Sequence, residues 1–148
     1  MNILTTIPLA EISRLKVGDT ATCELEVTEQ LVAAFAELSG DINPLHMETE
    51  VANAAGFPKR VAHGMLALSA ISRLIGTQLP GGGSLWTTQE VRFGAPVFVG
   101  DTVTARVTVE GVSTGAQMIK LRAEVVNKTT GGVVLSGNGT VRIPPRKN

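Results

Sequence analysis

The feature that most constrains this 148-residue chain is a change of hydrophobic period in its middle. Residues 64–75 carry Met65, Leu66, Leu68, Ile71, Leu74 and Ile75 and leave almost no polar face. That pattern predicts a helix buried on most sides, closed by Gly76 and Pro80. Past the glycines at 81–83 the period falls from 3.6 to 2. Val103, Ala105, Val107 and Val109 alternate with polar residues, as do Ile119, Leu121, Ala123 and Val125. Val133, Leu135, Val141 and Ile143 share one parity, with Gly137 and Gly139 on the same side, and residues 85–93 read as one further strand ended by Pro96. Such alternation describes antiparallel strands with one buried face. A buried helix followed by one-faced strands packs most simply as a sheet curled around the helix, an α+β fold.

This arrangement needs apolar material, and 43% of the residues are hydrophobic against 18% charged, which excludes a disordered chain. The length fits a single domain over residues 1–148, with its core at about 15–143. Thirteen basic and thirteen acidic residues cancel, and aromatics are 3% with no Tyr, so neither nucleic acid nor an anionic membrane is an expected partner. Neutral charge and an apolar balance favour a homo-oligomer. The lone Cys23 suits a reducing, cytoplasmic compartment. The apolar residues 1–10 lack the basic lead of a secretory signal, and residues 144–148 match no peroxisomal or retention address. A helix over residues 64–76 would reach roughly 18 Å, too short for a bilayer core of about 30 Å.

The reactive residues concentrate ahead of the buried helix. Residues 21–27 form a weak strand, Thr28 is placed to cap a helix, and Leu31, Val32, Phe35 and Leu38 recur at helical spacing until Gly40. Then comes Ser39-Gly40-Asp41-Ile42-Asn43-Pro44-Leu45-His46. On one continuous helix Asp41 and His46 would point about 140° apart. Gly40 stops that helix, Asn43 can cap a new turn and Pro44 fits its first position, so both side chains can face one point. The plainer alternative makes Asp41 a backbone cap and His46 a satisfied, partly buried ring.

Ala62-His63-Gly64-Met65 opens the long helix. Free N–H groups there suit a developing oxyanion, and Gly64 admits a ligand close to the backbone. His63 reads as a structural or loop-positioning residue. Ser69 and Ser72 interrupt the apolar helix, where serine usually bonds a carbonyl one turn back, and Arg73 belongs at a subunit or solvent edge. The glycine run lacks a phosphate loop's lysine, no nucleophile elbow occurs, and two widely placed histidines with one cysteine build no zinc site. No metal is expected.

These segments are recognisable. Phe35 to His46, with Ala52 six residues on, resembles the hydratase-2 motif of the MaoC-like (R)-specific enoyl-CoA hydratases at every constrained position. Val61-Ala62-His63-Gly64-Met65-Leu66 and Pro96-Val97-Phe98-Val99-Gly100-Asp101 resemble that family's second and third stretches, and the likeness runs from about Leu15 to Val141. It implies a hot-dog fold, paired subunits with an acyl tunnel beside their contact, and reversible hydration of a trans-2-enoyl thioester on coenzyme A or acyl carrier protein. It further implies Asp41 and His46 as the water-activating pair and the Gly64 amide as oxyanion donor. Ser72, Asn43, His63 and Met65 are expected around the site, and no cofactor is required. The segment Phe57-Pro58-Lys59-Arg60 departs from the family pattern. A thioesterase on the same fold and a non-catalytic acyl-thioester binding subunit are the alternatives.

Overall fold

The computed structural model describes residues 7–146, so the start of the apolar amino-terminal stretch and the last two residues lie outside the described residues. A 3₁₀ turn (Ile12–Arg14) leads into β1 (Thr20–Glu26). Three helices follow: α1 (Glu29–Ser39), α2 (Pro44–Met47) and α3 (Thr49–Ala54). The central helix α4 (Gly64–Thr77) precedes β2 (Leu85–Gln89), β3 (Arg92–Phe93), β4 (Thr102–Ser113), β5 (Met118–Asn127) and β6 (Val133–Arg142). The strands form one antiparallel sheet in the order β1-β4-β5-β6-β2, and β3 also pairs with β6.

The sheet curls around α4, as the alternation requires. Val103, Ala105, Val107 and Val109 of β4 and Ile119, Leu121, Ala123 and Val125 of β5 all point inward. They meet Leu66, Ala67, Ala70, Ile71, Leu74 and Ile75 of α4 in one cluster. Burying each Val, Leu or Ile contributes about 1.5–3 kcal/mol. Alanines on both sides let the helix lie close to the strands.

Several boundaries differ from the expectations. Helix α4 passes through Gly76 to Thr77, and its outer face, with Met65, Ser69, Ser72 and Arg73, is exposed. It is therefore not buried on most sides. Leu38 is exposed on α1, whose inward residues are Val32 and Ala36. The stretch 85–93 is two strands, because its register on β6 shifts after Trp86 and breaks again before Arg92. The backbone of residues 88–91 presses on β6 at Gly137 and Gly139, where any Cβ would collide with the Glu90 or Thr88 carbonyl. Val133, expected inside, is exposed. The β5–β6 pairing skips a residue between Val125 and Val126, so Val134 turns inward in its place.

The third motif stretch is a structural clasp. Gly100 adopts φ 98°, and the buried Asp101 carboxylate accepts from the Phe98 amide (3.0 Å) and the Asn127 side-chain amide (2.7 Å). This fixes the segment 96–101 beneath the start of α4, where the Ala62 N–H donates to Val97 O. Among the described residues no helix is long and apolar enough to cross a membrane.

Candidate active site

A chain of short-range hydrogen bonds folds residues 39–46 into a compact bend. Helix α1 is capped by Thr28, whose Oγ1 accepts from the Leu31 N–H, and stops at Gly40, which takes a left-handed φ of 75°. Ser39 Oγ donates to Phe35 O and accepts from the Asp41 N–H. Asp41 Oδ1 accepts from the Asn43 N–H (3.2 Å), and Asn43 Oδ1 accepts from the Leu45 N–H (3.0 Å), capping α2 with Pro44 as its first residue. The bend brings His46 Nε2 to 3.9 Å from Asp41 Oδ2. Asn43 thus shapes the loop.

His46 is oriented from behind. Its Nδ1 lies 2.6 Å from the carbonyl oxygen of Val61. A carbonyl only accepts, so the neutral ring carries its proton on Nδ1 and presents a bare Nε2 lone pair toward Asp41. The ring is 14% exposed and the carboxylate 52%, so one partner is anchored and the other meets solvent.

His63 stands immediately before α4 but makes no side-chain cap. Its Nε2 instead lies 2.8 Å from the main-chain oxygen of Asp41, and its ring is stacked against His46 with centroids 3.9 Å apart and planes at 34°. Phe35 packs at 5.0 Å, and the His63 side chain is buried. The histidines are therefore not widely placed, since the fold joins positions 46 and 63 across the α2–α4 connection. Asp41, His46 and His63 offer potential ligand atoms within 4.8 Å of one another. The two rings are tilted by 34°, and one nitrogen of each is already engaged by a main-chain oxygen, His46 Nδ1 by Val61 and His63 Nε2 by Asp41. Cys23 is elsewhere, on β1, with its thiol against Ala70 O of α4.

A cavity of about 360 Å³ opens beside this pair, mostly apolar, lined by His46, His63, Gly64 and Met65 together with Phe93 and Val134. No hydrogen-bond partner accompanies the Gly64 amide among the described residues. A Cβ on residue 64 would sit 2.8 Å from the Phe93 ring, so glycine is what lets that ring close over the helix start. Asn43 supports the loop without lining the cavity. Ser72 lies two turns along the exposed face of α4, away from the cavity of the single chain, and Ser69 Oγ bonds back to Leu66 O. Sequence reasoning missed Phe93, Val134 and the Val61 carbonyl. Phe93 was hidden by the assumption of an unbroken strand, Val134 by the bulge, and a main-chain carbonyl carries no side-chain signal at all. Arg60, in the segment that departs from the family pattern, pairs with Glu29 at 2.7 Å and braces the loop onto α1.

The fold and site together define a hot-dog protein with an acid–imidazole pair at the amino end of its central helix. The chain belongs to the family described as the MaoC like domain, whose model matches residues 16–131. It is 39% identical over 132 residues to an (R)-specific enoyl-CoA hydratase of Rhodospirillum rubrum, covering 89% of this chain and 90% of that protein. It is 36% identical to a 3-hydroxybutyryl-CoA dehydratase of Methylorubrum extorquens, covering 90% and 83%. Among solved structures it resembles an (R)-hydratase from A. caviae involved in PHA biosynthesis, with TM-score 0.85, 38% identity and coverage of 88% and 98%.

Proposed function

We propose that this chain catalyses the (R)-specific hydration of trans-2-enoyl-CoA thioesters and the reverse dehydration of (R)-3-hydroxyacyl thioesters. One observation carries the reading: a bare His46 Nε2, on the wall of an apolar cavity, stands 3.9 Å from a carboxylate oxygen of the half-exposed Asp41. That separation exceeds a direct hydrogen bond and is one that a single water oxygen can touch from both sides. Asp41 and His46 remove a proton from this water as its oxygen bonds to C3, and a proton is returned to C2. The C2–C3 double bond is consumed and no electrons leave the substrate. General acid–base work of this kind contributes about 10²–10⁴ in rate.

As the water adds, enolate charge gathers on the thioester oxygen. The Gly64 N–H, at the positive end of α4, is the donor placed to receive it, and one such donor contributes about 2.7–4 kcal/mol. The relatives named above support coenzyme A as the carrier and hydration or dehydration as the reaction. The same reading makes the protein a single-domain, cytoplasmic homodimer. The open outer edge of β2 and the exposed Met65–Ser72 face of α4 support pairing, and a second chain is what would bring Ser72 to an acyl tunnel.

The test is a pair of assays on one protein sample with trans-2-butenoyl-CoA: loss of the conjugated-alkene absorbance and release of free thiol. Alkene loss without thiol release is expected, with the (R) product identified by chiral chromatography. Thiol release without hydration would replace this assignment by a thioesterase, and binding with neither reaction by a carrier or assembly subunit.

A further inference from the structure

We infer that His63 is a positioning residue: a fixed Nε2–H donor that ties the water-holding bend to the peptide supplying the Gly64 amide. The inference rests on the hydration reading for its kinetic consequence, though its structural content stands separately. Position 63 caps α4, where Ser, Thr, Asn or Asp would contribute roughly 1 kcal/mol. His63 makes no such bond and reaches 22 residues back to the Asp41 carbonyl instead.

His63 is 2% exposed, and among the described residues its Nδ1 has no hydrogen-bond partner. A buried acceptor left unpaired costs about 1–3 kcal/mol, which a phenylalanine or leucine filling the same space would avoid. Packing alone therefore does not account for an imidazole here, whereas the Nε2–H bond does. Because the Asp41 carbonyl can only accept, that bond sets the tautomer, with the proton on Nε2.

Holding the Asp41 oxygen fixes the 41–42 peptide, and with it the direction of the Asp41 carboxylate. The same ring supports one face of His46, whose far edge is held by Val61 O. The main-chain oxygen of His63 accepts the Leu66 N–H that begins α4, and the same peptide unit carries the Gly64 N–H. One residue thus sets the spacing between the group that activates water and the group that receives the enolate charge. It touches neither reacting atom in this scheme.

The experiment compares His63→Gln, His63→Asn and His63→Phe in steady-state hydration of trans-2-butenoyl-CoA, with imidazole ¹⁵N spectra of the wild type. The glutamine amide nitrogen reaches where Nε2 lies; asparagine falls short, and phenylalanine keeps the bulk without the donor. Since a displacement of about 1 Å in a reacting group can cost 10²-fold, His63→Asn and His63→Phe should lower kcat about 10²-fold with KM within about threefold, and His63→Gln should stay within about threefold of wild type. A phenylalanine variant as active as the glutamine one overturns the inference. If the asparagine and phenylalanine variants fail to fold, the wild-type spectrum decides: a protonated Nε2 and unprotonated Nδ1 on His63 support it, and the opposite tautomer overturns it. A wild type without hydratase activity ends the hydration reading instead. In that event the wild-type ¹⁵N spectrum decides, a protonated Nε2 on His63 supporting the inference and a protonated Nδ1 overturning it.

Discussion

The core between α4 and the sheet and the bend at residues 39–46 are held in opposite ways. In the core many apolar side chains each contribute a modest, non-directional share, and Ile71, Leu74, Leu121 and Val125 are fully enclosed. In the bend a handful of hydrogen bonds each set one direction, and the Asp41 carboxylate they orient is half in solvent. The core tolerates substitution by degrees. The bend has no such redundancy, so a single lost acceptor re-aims a reactive group while the rest of the protein barely registers it. Stability and turnover should therefore separate cleanly between the two regions.

The largest effect expected is on turnover alone. Asp41→Asn and His46→Gln keep the size of each side chain and remove its proton-handling role, so hydration should fall by about 10²–10⁴. Asp41→Asn should keep its thermal midpoint close to wild type, since the replacement amide oxygen still accepts from the Asn43 N–H, and His46→Gln should lose only the single bond from Nδ1 to the Val61 carbonyl, about 1 kcal/mol. Near-normal turnover in either variant would remove the mechanism, and a large drop in midpoint would contradict the separation just drawn. The reciprocal change is Ile71→Ala in the helix interior. It should cost about 2–5 kcal/mol by cavity formation, read from denaturant midpoints, while surviving folded protein keeps most of its kcat.

The two regions also differed in how far they could be read from residues alone. Alternation placed the inward residues of β4 and β5 correctly because period 2 is a local property of extended chain. Thr28 and Gly40 were legible as the ends of α1 for a similar reason, since each acts within a few residues. The errors fall where a distant segment intrudes. Val133 lost its inward place to Val134 through a slip against β5, and residues 85–93 split because their backbone must ride over two glycines of β6. The bend at 39–46 was visible through Gly40, Asn43 and Pro44, which shape it locally. The contact of His63 with Asp41 was not, because nothing in a sequence shows that two turns 22 residues apart share a hydrogen bond.

A smaller change probes the bend without touching a reactive group. Asn43→Ala removes the cap on the four-residue helix that carries His46, and such caps are worth about 1 kcal/mol. Helix α2 is too short to form on its own, so the loss should appear as a partly open bend. By the relation between free energy and population, about 1 kcal/mol lowers the closed fraction, and hence kcat, by up to about fivefold. The midpoint of global unfolding should stay nearly where it is. A kcat unchanged by Asn43→Ala would mean that the Val61 and His63 contacts hold the site without help from the cap.

The smallest effect belongs to the core side and concerns Cys23. Burial against α4 pushes its thiol above the ordinary value, and the nearby Arg73 guanidinium pulls it partly back. The folded state therefore holds the proton to higher pH than the unfolded chain does. This contribution to stability is complete below the unfolded thiol's pKa and is lost as pH rises through the folded one. The denaturant midpoint of wild type relative to Cys23→Ser should accordingly drift downward in alkaline buffer and stay level near neutral pH. Alkylation by iodoacetamide, which needs the thiolate, should be slower in the folded protein than in urea, and slower still in Arg73→Ala. Faster alkylation after loss of Arg73 would show that access through the exposed face of α4, and not the charge, governs this thiol. The outer face of the helix would then be the looser partner in the comparison between core and bend.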